Sequence, residues 1–276
     1  MALTSLQRII LRTLAAERIN RNERYVAGGV ALNTLLAAAR RSRDIDLFHD
    51  TDAALSASWT ADRKRLEREG FELHILREAP AFVEALVGRD HDRTVIQWTR
   101  DSAFRFFPLI EDETLGLTLH PFDLATNKVL AMAGRLEVRD WIDVLTCDAK
   151  LQPLGYLTWA ACGKDPGFNP RSLLAQARRL HYSQQEVGAL DFDGDPPDAA
   201  EAGRRWHAAL EMAGHMHDLM PAHEAGACVI TTDGELFRET DPDRIARALR
   251  DNRVAFHHGS IRGAWPQVMD PPRLET

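Results

Sequence analysis

Hydrophobic positions recur along this chain with two different periods, and the changes of period mark its elements. In "TSLQRIILRTLAAERI", Leu6, Ile9, Ile10 and Leu14 fall at helical spacing behind Thr4 and Ser5, both good helix caps, so an amphipathic helix opens the chain. The stretch "YVAGGVALNTLLAAARRSRDIDLF", from Tyr25 to Phe48, then changes character three times. "RYVA" reads as a short strand, "GG" as a turn, "VALNTLLAAA" as a helix of strong helix formers, and "DIDLF" as a strand with apolar residues at period two. "ADRKRLEREG" predicts a further helix, and "FELHIL", "FVEALV" and "RTVIQWT" predict strands that extend the sheet. "HPFDLATNKVLAMAGRLEVRDWIDVLTCD" predicts two helices, the first capped by Asp123 and stopped by Gly134, the second begun by Asp140.

After the Pro- and Gly-rich "LQPLGYLTWAACGKDPGFNP" the pattern becomes mostly helical. "RSLLAQARRL", "SQQEVGAL" and "AAEAGRRWHAALEMAGHMHDLM" each carry helical spacing, and Ser183 and Glu186 stand at capping-box distance. One exception is "ACVITTDGELFRE", where Asp233-Gly234 between apolar runs predicts a β-hairpin near 228–237. The expected organisation is an α+β domain over residues 1–150 followed by a mainly helical region over 151–276, with the boundary between Leu151 and Pro170.

Composition narrows the class. The 276 residues are 45% hydrophobic, enough to bury roughly three quarters of the unfolded surface in one large domain or two smaller ones. No apolar run approaches the roughly 18 to 20 residues of a membrane span, and charges interrupt the N-terminal apolar residues, so a cytoplasmic protein without a membrane partner is expected. Cys147, Cys162 and Cys228 are odd in number and widely spaced, which suits small core residues in a reducing compartment. A net charge of -7 excludes a nucleic-acid footprint over the whole surface and leaves "AARRSR" and "DRKRLER" as local basic patches.

The candidate chemistry lies in the Tyr25–Phe48 stretch. Residues two apart in a strand share a face, so Asp44 and Asp46 project side by side while Ile45 and Leu47 face a core. Two adjacent carboxylates repel unless a cation lies between them, and oxygen ligands of this kind suit Mg²⁺ or Mn²⁺, which take remaining ligands from water and phosphates. Gly28 and Gly29, at a strand-to-helix turn, let backbone N–H groups approach an anion at the positive end of the following helix. An anion-binding turn and a pair of acids joined by one helix describe a site for a metal-bound triphosphate.

This constellation resembles the nucleotidyltransferases of the DNA polymerase beta superfamily, and among them most nearly the AbiEii/AbiGii toxin branch. The resemblance runs from about Arg24 to Asp148 and includes a downstream segment of Lys128, Gly134 and "RDWIDV" from Arg139 to Val144. It implies a polymerase-beta-like domain with a mixed sheet flanked by helices. By the same resemblance Asp44 and Asp46 hold the metal, Gly28 and Gly29 cradle the distal phosphates, and Ser42 reaches a phosphate. Lys128 neutralises triphosphate charge, and Asp140 or Asp143 orients Lys128 or the incoming nucleophile. The implied reaction moves an NMP from an NTP to a hydroxyl acceptor, either the 3′ end of a tRNA or a protein side chain. The family context adds the toxin half of a toxin–antitoxin or phage-defence pair, with a cognate antitoxin as partner.

One position departs from the superfamily pattern. A third acid is expected on a later core strand, and "TVIQWTRD" has Gln97 there, with Asp101 at the strand end as a substitute. Glutamine is no general base, so a non-catalytic nucleotide- or partner-binding protein on the same fold is the alternative. Other motifs carry less. "GYLTWAACGKD" has Thr158 where a Walker loop needs its first glycine and Asp165 after Lys164. His215, His217, His223 and Cys228 match no zinc-ligand spacing, and "FRFFP" from Phe104 to Pro108 reads as core, with Arg105 as a basic group of open role.

Overall fold

The computed structural model describes residues 3–16 and 24–267. The N-terminal half runs α1 (Ser5–Ala16), β1 (Tyr25–Ala27), α2 (Gly28–Leu35), β2 (Asp44–His49), α3 (Asp52–Arg68), β3 (Glu72–Ala79), β4 (Phe82–Arg89), β5 (Asp92–Arg100), β6 (Phe104–Arg105), β7 (Ile110–Asp112) and β8 (Gly116–Thr118). Helices α4 (Pro121–Arg135), α5 (Val138–Lys150), α6 (Leu154–Ala161), α7 (Pro170–Ala177), α8 (Gln184–Gly188) and α9 (Ala199–Leu219) follow, then β9 (Cys228–Thr231), α10 (Pro242–Arg250), β10 (Val254–His257) and β11 (Ser260–Ile261). The end of the first predicted helix, residues 17–19, lies outside the described residues.

Two compact units are woven from discontinuous segments. Unit 1 comprises residues 1–103, 108–124 and 185–197, and unit 2 comprises 104–107, 125–184 and 198–276. Unit 1 is built on a seven-stranded mixed sheet in the order β3-β4-β5-β2-β1-β8-β7. The β2–β5 and β1–β8 pairs are parallel and the remaining neighbours antiparallel.

The period-two pattern decides which face of this sheet is covered. Ile45 and Leu47 of β2, Ile96 and Trp98 of β5, and Val83, Ala85 and Val87 of β4 are all buried. Helices α1 and α3 pack on the sheet over these residues. Trp59 of α3 meets Trp98 edge-on at 4.7 Å between ring centroids, and Trp98 Nε1 donates to Asp62 Oδ2 at 2.8 Å. Asp62 also accepts from Ser58 Oγ at 3.2 Å and pairs with Arg24, so this buried carboxylate is satisfied from three sides. Asp44, Asp46, Gln97 and Glu84 stand on the other, half-exposed face.

Helix ends follow local chemistry. Thr4 Oγ1 accepts from the Gln7 N–H at 3.1 Å while Gln7 Oε1 accepts from the Thr4 N–H at 3.0 Å, a reciprocal cap on α1. Two expected caps move. Asp123 lies within the first turn of α4, where His120 Nδ1 lies 3.2 Å from the Phe122 N–H. Asp140 lies in the first turn of α5, whose cap residue is Glu137. Both carboxylates are completely buried, which removes them from the solvated position a capping side chain ordinarily takes.

Unit 2 is mainly helical. Tyr156, Trp159, Met216, Met220, Val229 and Ile245 form one of its buried clusters, closed by Phe237 and Phe256. The Asp233-Gly234 turn forms, with Gly234 at φ +92° and the Thr231 N–H donating to Glu235 O at 2.8 Å. The regular ladder of β9, however, runs to β10, with Leu236 making a single bridge to Ile230. Phe106 and Phe107 are buried, as the core reading of "FRFFP" requires.

Candidate functional site

In unit 1, β1 ends at Ala27 and the chain enters α2 at once through Gly28, whose φ is +64°. Glycine adopts this left-handed value without a steric cost. It also makes room: a Cβ on Gly28 would sit 1.6 Å from Asp46 Oδ2. The second acid of β2 is therefore packed directly on the glycine turn. The strand register explains the meeting, because Ala27 pairs with Asp46 in the antiparallel β1–β2 ladder.

Gly29 opens onto a different pair of groups. A Cβ there would lie 2.7 Å from Ser42 Oγ and 2.8 Å from Arg40 Nη2. Arg40 is 5% exposed and donates from Nη1 to Arg41 O at 3.0 Å. Ala27 supplies no side-chain acceptor to the first-turn N–H groups of α2. Amides, a guanidinium and a hydroxyl thus converge on the first turn of one helix, beside a carboxylate. The structure brings Gly28 to Asp46 and Gly29 to Ser42, with Asp44 on the same face of β2 as Asp46.

Arg40 was invisible as a site residue in the sequence, where it stood only in a basic run. Two further residues hold the approach to β2. Gln7, almost fully buried on α1, donates from Nε2 to Ser42 O at 2.8 Å and Arg43 O at 3.2 Å, and Thr94 Oγ1 donates to Arg43 O at 2.8 Å. A polar side chain on the apolar side of a predicted helix was the signal for Gln7. The "AARRSR" patch is partly neutralised within unit 1. Arg41 pairs with Asp193 at 2.7 Å, and Arg43 with Asp191 at 2.5 Å; the Arg43 hydrogen bond holds the Asp191 carboxyl below its ordinary range.

Asp44 and Asp46 fit a Mg²⁺ or Mn²⁺ ion as a two-carboxylate oxygen set, because they alternate with buried Ile45 and Leu47 and so share the half-exposed face. Among the described residues no group of three or more His, Cys, Asp or Glu side chains could hold a metal. A hard cation bound here would draw its other ligands from water and phosphate oxygens. Gln97, in register with Asp46 on β5, donates from Nε2 to Glu84 Oε1 on β4 at 2.8 Å. Asp101, beyond the strand, donates its N–H to His49 O at 2.9 Å.

Unit 2 holds the other predicted residues. Lys128 Nζ lies 2.9 Å from Asp140 Oδ1 and 3.1 Å from Asp143 Oδ2, with Lys128 8% exposed and both acids fully buried. Arg135 adds donors to both oxygens of Asp140, Nη2 reaching Oδ2 at 2.9 Å and Oδ1 at 3.1 Å. Asp140 and Asp143 share a face of α5 one turn apart, which lets a single lysine on α4 meet both. Arg105 is buried in β6, which pairs with β11. An open groove of about 670 Å³ along the outer surface of α3, lined by Ala53, Ala57, Ala61 and Lys64, holds none of the predicted site residues.

No protein-family model matches the chain, and no curated protein matches it in sequence. Solved structures do match. A candidate nucleotidyltransferase from H. pylori superposes with a TM-score of 0.51 at 13% identity, over 78% of this chain and 96% of that one. The nucleotidyltransferase toxin MenT4 from Mycobacterium tuberculosis H37Rv gives a TM-score of 0.49 at 15% identity, over 89% of each chain. At such identity the first likeness shows a shared fold: the chain has the fold of that H. pylori protein. Among the described residues no helix is long and apolar enough to cross a membrane.

Proposed function

We propose that this protein is a metal-dependent nucleotidyltransferase that moves an NMP from an NTP to a hydroxyl acceptor. One observation carries the reading above the others: the Asp46 carboxylate rests on Gly28, within 1.6 Å of where a side chain would begin, so acid pair and glycine turn form one constellation. The N–H groups of the first turn of α2, with Ser42 and Arg40 beside Gly29, receive the phosphates. Asp44 and Asp46 hold Mg²⁺ or Mn²⁺, which when bound supplies charge neutralisation to the triphosphate. The resemblance gives a charge-neutralising role to Lys128, which in unit 2 pairs with Asp140 and Asp143. The acceptor hydroxyl oxygen attacks the α-phosphorus, its new bond forms as the bond to the bridging oxygen breaks, and pyrophosphate leaves with the electron pair. Positioning and preorganised charge account for most of such catalysis.

The acceptor is a tRNA 3′ end or a protein side chain, and the AbiEii/AbiGii resemblance extends the reading to a toxin with a cognate antitoxin, acting in the cytoplasm. Incubation with Mg²⁺, total tRNA and each α-labelled NTP, beside an Asp46→Ala control, tests it. Label on RNA or on a protein band, lost in the control, is expected. The non-catalytic reading is favoured by Gln97, which stands level with Asp46 and offers no base. Magnesium-dependent NTP binding with no label on any acceptor would establish that reading instead.

A further inference from the structure

The half-exposed face of the unit 1 sheet carries a carboxylate that neither the glycine turn nor the acid pair explains. Parallel pairing sets Gln97 of β5 level with Asp46 of β2, and antiparallel pairing sets Glu84 of β4 level with Gln97. Directly paired residues share a face, so Asp46, Gln97 and Glu84 form one row across three strands. The row spans about 10 Å between the outer two backbones, at about 4.8 Å per strand. On this face β5 presents Arg93, Val95, Gln97 and Thr99, and β4 presents Phe82, Glu84, Leu86 and Gly88. Glu84 is thus the one acid those two strands place there.

The middle residue of the row is tied to the acid on β4. Gln97 Nε2 donates to Glu84 Oε1 at 2.8 Å, fixing the carboxylate plane by one oxygen. Among the described contacts Glu84 has no ion pair, although Arg77 stands opposite it in the β3–β4 ladder; the Arg77 guanidinium lies instead 5.2 Å from the Phe82 ring centroid. Glu84 Oε2 keeps its lone pairs for a further donor.

We infer that Glu84 is the general base of the proposed transfer, oriented by Gln97. Resting on the nucleotidyl-transfer reading, this assigns the acceptor side of the same site. The acceptor hydroxyl donates to Glu84 Oε2, its oxygen attacks the α-phosphorus, and its proton passes to Glu84 as the P–O bond to pyrophosphate breaks. Gln97 then is a positioning residue: a glutamate at 97 would face Glu84 directly across the ladder and repel it, whereas the amide donates to it.

The test compares wild type, Glu84→Gln and Gln97→Glu in α-labelled NTP transfer across pH, with NTP affinity measured separately by titration. A positioned base contributes about 10²- to 10⁴-fold. Expected for Glu84→Gln is a loss of kcat within that range, NTP affinity within about threefold of wild type, and disappearance of the limb of the pH–rate profile on which activity rises with pH. The other charged and titratable groups on this face, Glu72, His74 and Arg77 of β3, Arg93 of β5, and Asp44 and Asp46 of β2, are present in both proteins, so the lost limb reports Glu84 itself. Gln97→Glu is expected to lower kcat as well. Undiminished transfer by Glu84→Gln, or faster transfer by Gln97→Glu, overturns the assignment while leaving nucleotidyl transfer standing. Absence of transfer by wild type in every reaction overturns both.

Discussion

Replacing Gly28 with alanine perturbs the glycine turn in two ways that can be separated. The first is backbone strain: φ at Gly28 is +64°, and holding a non-glycine residue in the left-handed region costs about 1–3 kcal/mol. The second is steric. The new Cβ would lie 1.6 Å from Asp46 Oδ2 and 2.5 Å from its Cγ, far inside van der Waals contact, so the carboxylate must swing off the turn. Strain alone lowers Tm by about 2–12 °C, at about 2–4 °C per kcal/mol. Displacement of Asp46 adds to that and also removes Mg²⁺-dependent NTP binding. The Asp46→Ala background deletes the colliding atoms, so Gly28→Ala is expected to cost less there than in wild type, by a coupling of about 0.5–3 kcal/mol. Denaturant titrations of the four proteins and NTP binding by calorimetry measure every term. Equal costs in both backgrounds, or full NTP affinity in Gly28→Ala, would refute the contact between turn and acid on which the functional reading stands.

Other expectations concern each unit separately. Asp140→Ala leaves Lys128, 8% exposed, with one carboxylate instead of two and deprives Arg135 of its partner, so a loss of about 3–5 kcal/mol is expected in chemical denaturation; a loss under about 1 kcal/mol would show the network to be slack. Asp44→Ala removes one of the two acids proposed to hold the metal from a half-exposed strand position, and Mg²⁺-dependent NTP affinity is expected to fall by at least tenfold with Tm nearly unchanged; undiminished affinity counts against the acid pair. Burial lowers the His49 pKa from 6.5 to about 4, with Asp62 opposing the shift and Arg24 assisting it. The unfolded chain therefore takes up this proton first, so the contribution is intact above pH 6.5 and falls away between pH 6.5 and 4, by about 3 kcal/mol at about 1.4 per pKa unit. His120, lowered to about 4 chiefly by burial, and His217, lowered chiefly by burial, act in the same direction, and His49→Leu is expected to flatten the slope of stability against pH in part; an unchanged slope would show that His49 titrates normally.

Much of unit 1 was legible in the chain because local patterns and tertiary contacts agree there. The patterns of "DIDLF", "FVEALV" and "RTVIQWT" assigned strands, and in "DIDLF" the two faces as well, since a strand covered on one side must repeat at period two. The adjacent glycines and the acids two apart pointed to one turn and one strand face, because Gly backbone freedom and side-chain alternation are properties of the residues themselves. Lys128, Asp140 and Asp143 were legible as a spacing, since residues three apart on a helix share a face.

Pairing across long sequence separations was not legible. No local pattern says that Ala27 lies opposite Asp46, that Gln97 lies level with both Asp46 and Glu84, or that β9 finds its ladder partner in β10 instead of the nearer segment beyond Gly234. Register depends on how the whole sheet closes over α1 and α3, a sum of many distant contacts. Caps were misplaced for the same reason: Asp123 and Asp140 have the short polar side chains of cap residues, and tertiary burial draws both into the interior, Asp140 against Lys128 and Arg135. The sequence by itself therefore determined which residue types could do chemistry and on which face of which element. Only the tertiary structure decided which carboxylate meets which glycine, and that Glu84 stands in one row with Gln97 and Asp46.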